Sequence, residues 1–105
     1  MRILFDQGVP APLRKYLRNH EVKTAVEVGW SELTNGQLLD SAEKMFELLI
    51  TTDQELRCQQ NLSGRKLAIL VLPSTSWPGL EPNHAKIVST IESLSSGTYF
   101  ELQLK

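Results

Sequence analysis

Along this chain, short apolar runs alternate with segments whose apolar residues stand three and four positions apart, the pattern of strands exchanging with helices. Arg2, Ile3, Leu4 and Phe5 read as a buried strand. Val9, Leu13, Tyr16 and Leu17 then fall on one helical face. Pro10 and Pro12 are tolerable only in a helix's first turn, so a first helix follows the strand with almost no loop. Residues 21–25 are a weaker strand candidate. The next helix is better marked: Thr34, Asn35, Gly36 and Gln37 have the spacing of a capping box, with Leu38, Leu39, Ala42, Met45 and Phe46 as a helical stripe behind it. Residues 48–52 form a third strand, and Thr52 with Glu55 repeats the capping-box spacing. A short helix over 56–60 is predicted there, ended by Asn61, Leu62, Ser63 and Gly64.

The most apolar strand covers 66–72, a continuous run without alternation that suits a central parallel strand covered on both faces. A loop over 73–80 holds Trp77, Pro78 and Gly79. Pro82 suits a helix start, and Ile87, Val88, Ile91 and Leu94 form the buried face of the helix that follows. In the final segment, 98–104, Phe100, Leu102 and Leu104 alternate with Tyr99, Glu101 and Gln103, which marks a half-exposed edge strand. No internal repeat, low-complexity tract or linker interrupts the pattern. The order βαβαβαβαβ predicts an α/β fold: a single-domain, three-layer α/β/α sandwich with right-handed crossovers and a mostly parallel sheet of about five strands.

Composition narrows the functional classes. At 105 residues the chain is long enough for one sizeable core and too short for two. With 11 Lys+Arg against 12 Asp+Glu the net charge is −1, so no global basic field draws the protein onto nucleic acid and any polyanion contact must be local. Cys58 is alone and cannot form an internal disulfide, which fits a reducing cytoplasm. The apolar run over 67–72 is far short of a membrane span, and Met1-Arg2 leads straight into a strand with no room for a signal peptide. A soluble, cytoplasmic protein with no membrane partner is expected.

Asp6 and Asp53 each follow directly on a strand-forming run. Neighbouring parallel strands open their carboxyl ends onto one crevice, where two carboxylates would make an oxygen-rich site for Mg²⁺ or Mn²⁺. Each aspartate alone also has an ordinary explanation: Asp53 caps a helix, and Asp6-Gln7-Gly8 is a tight turn. Together, at equivalent strand ends, they favour a site. Asn35 is a conditional third member, with a structural place in the first turn of its helix and an amide oxygen that a metal can use. Arg14, Lys15 and Arg18 form an exposed charged face, and Arg57, one turn past Asp53, is the basic residue best placed to meet a phosphate. His20 and His84 lack partners at zinc-ligand spacing, and Cys58 lacks the base that a thiol nucleophile needs. No Gly-rich phosphate-binding motif follows the first strand.

Three stretches resemble, in order and spacing, the small bacterial PIN-like proteins, relatives of the PIN-domain ribonucleases. They are Ile3-Leu4-Phe5-Asp6-Gln7-Gly8-Val9-Pro10, Leu33-Thr34-Asn35-Gly36-Gln37-Leu38-Leu39 and Leu49-Ile50-Thr51-Thr52-Asp53-Gln54-Glu55-Leu56. The likeness covers nearly the whole chain and implies a single PIN-like domain over 1–105. It implies a metal-dependent ribonuclease of toxin–antitoxin type, with Asp6 and Asp53 as ligands of Mg²⁺ or Mn²⁺ and Asn35 as a neutral ligand or water positioner. Arg57, Arg14, Gln7 and Gln54 would then meet single-stranded RNA. Gln7 sits where many relatives have Glu, and Asn35 where many have Asp, so the acidic site is partly neutralised.

Two alternatives stay open. One is a PIN-like module that kept the crevice, lost catalysis and binds RNA or an antitoxin-like protein. The other is a receiver-like phospho-acceptor domain, which also places an aspartate after its third strand; Ser74 or Thr75 would supply its hydroxyl, but its acid pair is only Asp6-Gln7. The edge strand over 98–104, guarded by Glu101 and Lys105, and the adjacent Trp77 loop are the surfaces expected to meet a homodimer mate or a partner protein.

Overall fold

Apolar runs of this length pair side by side. Strands β1 (Arg2–Phe5), β2 (Glu21–Thr24), β3 (Leu48–Thr51), β4 (Ala68–Val71) and β5 (Tyr99–Glu101) form one sheet in the order β2-β1-β3-β4-β5. Every pairing is parallel, the edge strand β5 included. The computed structural model describes residues 1–59, 62 and 64–104, without the side chains of Cys58 and Gln59. The expected helix end at Gln60, the stop signals Asn61 and Ser63, the packing of Cys58 and the guard Lys105 therefore lie outside what is described.

Residues of the central strands divide by parity between two hydrophobic clusters. Ile3, Phe5, Leu48, Ile50, Ala68 and Leu70 enter one, and Leu4, Leu49, Ile69 and Val71 the other. That is why β3 and β4 carry no polar alternation: both sides of the strand meet apolar side chains. Helix α1 (Asn35–Met45) adds Leu38, Leu39 and Ala42 to the second cluster, and α2 (Leu56–Gln59) adds Leu56. The first cluster takes Leu13 from a 3-10 helix (Ala11–Tyr16), Leu80 from α3 (Trp77–Leu80), and Ile87 and Ile91 from α4 (His84–Ser93).

Four expectations change in detail. The segment after β1 is a 3-10 helix instead of an α-helix, closed by the i to i+3 bonds Leu13 N–H to Pro10 C=O and Leu17 N–H to Arg14 C=O. The capping box at Thr34 and Gln37 forms, with both reciprocal hydrogen bonds present. At the second box it is Asp53, not Thr52, that accepts the Glu55 N–H, since the shorter carboxylate turn closes before Thr52 can act. The predicted loop over 73–80 ends in one α-helical turn, with Pro78 presetting its backbone and Leu80 buried beneath it. Pro82 lies in a 3-10 turn (Glu81–Asn83), and α4 begins at His84.

At the β5 edge Leu102 is buried and Leu104 half-buried, but Phe100 is 41% exposed instead of turned into the core. Its partner Leu70 is buried; Phe100 stands one strand further out, on the edge strand. Among the described residues no helix is long and apolar enough to cross a membrane.

At the opposite edge the last residue of β2 is engaged by the loop that follows it. Thr24 donates its N–H to Glu27 and its carbonyl accepts from Val28, while the Arg14 guanidinium holds the Glu27 carboxylate from the other side. The hydrogen bond from Arg14, followed by that from the Thr24 amide, brings the Glu27 carboxyl down from its ordinary 4.5 to about 2. A depressed carboxyl stabilises the fold fully above its unfolded value and loses that contribution as the pH falls toward the folded one. Glu27→Gln is therefore expected to flatten the decline in melting temperature between pH 4.5 and about 2, measured side by side with wild type.

Candidate functional site

In the order β2-β1-β3-β4-β5 the chain reverses direction across the sheet between β1 and β3, and the crevice outside the carboxyl ends at such a reversal is where open parallel sheets bind ligands. Asp6 stands just past β1 and continues the ladder through its N–H to the Ile50 carbonyl, 2.9 Å. Asp53 stands just past β3. Between them is Thr51, the last residue of β3, 1% exposed and the one buried polar residue among those described. Its hydroxyl donates to Asp6 Oδ2 at 2.8 Å and accepts the Asp53 N–H at 3.1 Å.

Asp53 in turn holds the first turn of α1. Asn35 Nδ2 donates to Asp53 Oδ2 at 3.0 Å, and the Glu55 N–H donates to Oδ1 at 2.9 Å. Asp6 Oδ1 accepts the Gln7 N–H at 2.8 Å. The structure thus brings Asp6, Asp53 and Asn35 into one hydrogen-bonded chain through Thr51. Thr51 itself was missed in the sequence, although a threonine closing an apolar strand two residues before an aspartate was a usable signal.

Other candidates are directed elsewhere. Gln7 Nε2 donates to the Ser31 carbonyl at 2.6 Å, bridging to the loop before α1. Gln54 Nε2 reaches the Leu72 carbonyl at 2.6 Å and joins the ends of β3 and β4. Arg14 is paired with Glu27, and the Arg57 guanidinium lies 5.9 Å from the centroid of the Tyr99 ring. His20 bonds Glu92 at 2.6 Å, and His84 stacks on Tyr16 with ring centroids 4.0 Å apart. Gly8 is a second residue the sequence did not single out. A Cβ there would meet Thr52 Oγ1 at 2.2 Å, so the turn after Asp6 closes onto the end of β3 only because Gly8 has no side chain.

Family models, curated proteins and solved structures yield no match to this chain. Function has to be read from the side chains at the reversal point.

Cavities lie at both ends of the sheet. One, about 480 Å³, lies at its amino end between Arg2, Glu47, Lys66 and Ser95. The other, about 530 Å³, opens beside Asp6 at the carboxyl end, between Gln7, Thr24, Val26, Ser31 and Glu32.

Among the described residues no three His, Cys, Asp or Glu side chains gather at one point, so the donor set at the reversal is two carboxylates and an amide. That set does not suit zinc, which takes three or four nitrogen, sulfur or carboxylate ligands. It does fit one hydrated Mg²⁺ or Mn²⁺, which keeps several waters and needs few protein ligands. Among the described residues each oxygen of the two carboxylates accepts a hydrogen bond, and a carboxylate oxygen carries two lone pairs. Asn35 turns its NH₂ toward Asp53, so its contribution here is to orient that carboxylate.

Proposed function

We propose that the protein is a metal-dependent ribonuclease of PIN-like type, a three-layer α/β/α domain with its site at the Asp6–Thr51–Asp53 chain. The observation that carries this is the shared Thr51 hydroxyl, which bonds the Asp6 carboxylate and the Asp53 backbone N–H and so ties together two aspartates that follow neighbouring strands at the reversal of strand order. Asp6 and Asp53 would hold the ion, Thr51 bonds the Asp6 carboxylate and the Asp53 backbone, and Asn35 orients the Asp53 carboxylate. When bound, Mg²⁺ or Mn²⁺ supplies an activated water and neutralises charge on the phosphodiester. The single Cys58 of the sequence accords with a cytoplasmic location.

A second reading, a PIN-like module without catalysis, is favoured by one observation: the amides of Gln7 and Asn35 and the guanidinium of Arg14 are all held in internal hydrogen bonds. The strand order is also that of receiver domains, but both oxygens of Asp53 accept hydrogen bonds and Asp6 is followed by an amide.

The test is a Mn²⁺ titration by thermal shift, with cleavage of single-stranded RNAs, on wild type, Asp6→Asn and Asp53→Asn. Metal that binds the native state raises the wild-type melting temperature, and each variant is expected to lose that rise and about a hundredfold in cleavage rate. Asn35→Asp replaces a donor by a like charge 3.0 Å from Asp53 Oδ2. It is expected to lower metal-free stability while tightening Mn²⁺. A wild type indifferent to Mn²⁺ would remove the ribonuclease and leave the binding module.

A further inference from the structure

We propose that the cavity beside Asp6 is a nucleobase subsite that selects guanine in single-stranded RNA, an inference that rests on the ribonuclease function above. Its volume, about 530 Å³, falls in the ~300–1,000 Å³ range of small-molecule sites. Asp6 is at once a wall of this cavity and one end of the Thr51-linked chain, so a base seated here lies beside the first of the two carboxylates that would act on its phosphodiester.

The lining decides the class of ligand. Val26, 68% exposed, offers an apolar surface for the face of a ring. Gln7 is pinned through Nε2 to the Ser31 carbonyl, which leaves its Oε1 as an acceptor. Glu32 adds a carboxylate, and no Lys, Arg or His lines the cavity. The nearby Arg14 is engaged by Glu27. A phosphate is therefore a poor occupant, and the complement is a planar ring with adjacent N–H donors.

Guanine has such an edge: its ring N1–H and its N2 amino group point the same way and match the two oxygens of one carboxylate, as a guanidinium does. Adenine and cytosine interleave an amino group with ring acceptors, and uracil flanks its one N–H with carbonyls. Glu32 is the residue assigned to that edge, with Gln7 Oε1 beside it.

The experiment uses short single-stranded RNAs carrying one guanosine or one inosine, which lacks only the N2 amino group, together with calorimetry of guanosine 5′-monophosphate in Mn²⁺. Wild type is expected to cleave the guanosine RNA about tenfold faster than the inosine RNA. In Glu32→Gln that ratio falls toward one. Val26→Asp, also on the surface, weakens the nucleotide binding. Thermal melts check that both variants are folded.

Equal rates on the two RNAs, or an unchanged ratio in Glu32→Gln, with cleavage still dependent on Asp53, would overturn the subsite and leave the ribonuclease intact. Glu32-dependent binding of the nucleotide without any cleavage would sustain the subsite and overturn the ribonuclease. Tighter binding of arginine methyl ester than of the nucleotide would assign the cavity to a cationic side chain of a protein partner and end the guanine proposal.

Discussion

Gly8→Ala is expected to destabilise the protein by about 1–3 kcal/mol, the usual cost of forcing an atom into a filled space. The added Cβ would stand 2.2 Å from Thr52 Oγ1. Thr52 is branched at Cβ and stiff at its first side-chain torsion, so its hydroxyl has little freedom to withdraw. Gly8 is not among the glycines with positive φ, so the backbone itself would accept alanine. Removing the hydroxyl should therefore relieve the clash. With Thr52→Ala, the nearest atoms left are Thr52 Cβ and Thr75 Cγ2, both at 3.5 Å, an ordinary contact. Urea denaturation of the two single variants and the double variant gives the coupling energy directly. A double variant as unstable as the sum of the singles would mean that the turn does not need the close approach of Gly8 to Thr52.

Thr51→Val is the second large effect. The substitution keeps the shape of the side chain at a position 1% exposed while taking the donor from Asp6 Oδ2 and the acceptor from the Asp53 N–H. Leaving such groups unpaired costs about 1–3 kcal/mol, so a loss near the middle of that range is expected in urea. Thr51→Ser retains the hydroxyl and sheds one methyl, for a loss of about 1 kcal/mol or less. The two variants should also part company in Mn²⁺, the serine variant keeping the thermal shift and the valine variant losing most of it. If valine and serine behave alike in both measurements, the hydroxyl is not what joins the two aspartates.

Both predictions concern residues that carried no obvious chemistry in the sequence. Asp6, Asp53 and Asn35 could be singled out because each sits at the boundary of an element, where a run of apolar residues stops. Gly8 and Thr51 were not, because most of their importance lies in what crosses from β1 to β3. The Thr51 hydroxyl bond spans 45 positions in the chain, and the Asn35 bond to Asp53 spans 18. The roles foreseen for Gln7 and Arg14 were limited in the same way. Gln7 is drawn 24 positions away to Ser31, and Arg14 is drawn 13 positions to Glu27, partners that no local spacing announces.

By itself the sequence determined the places of all five strands, the α1 helix and its Thr34–Gln37 cap, and the two aspartates at strand ends. These are local matters: a cap closes within three residues, and an apolar run is buried wherever its strand is placed. Tertiary structure alone decided that β1 lies against β3 and that Phe100 is left uncovered at the edge. Those outcomes depend on which strand supplies the neighbouring backbone and which helix covers which face. The Asp6 carboxylate and the Asp53 backbone N–H meet at one hydroxyl because parallel pairing of β1 with β3 places Phe5 opposite Ile50, and with it Asp6 beside Thr51.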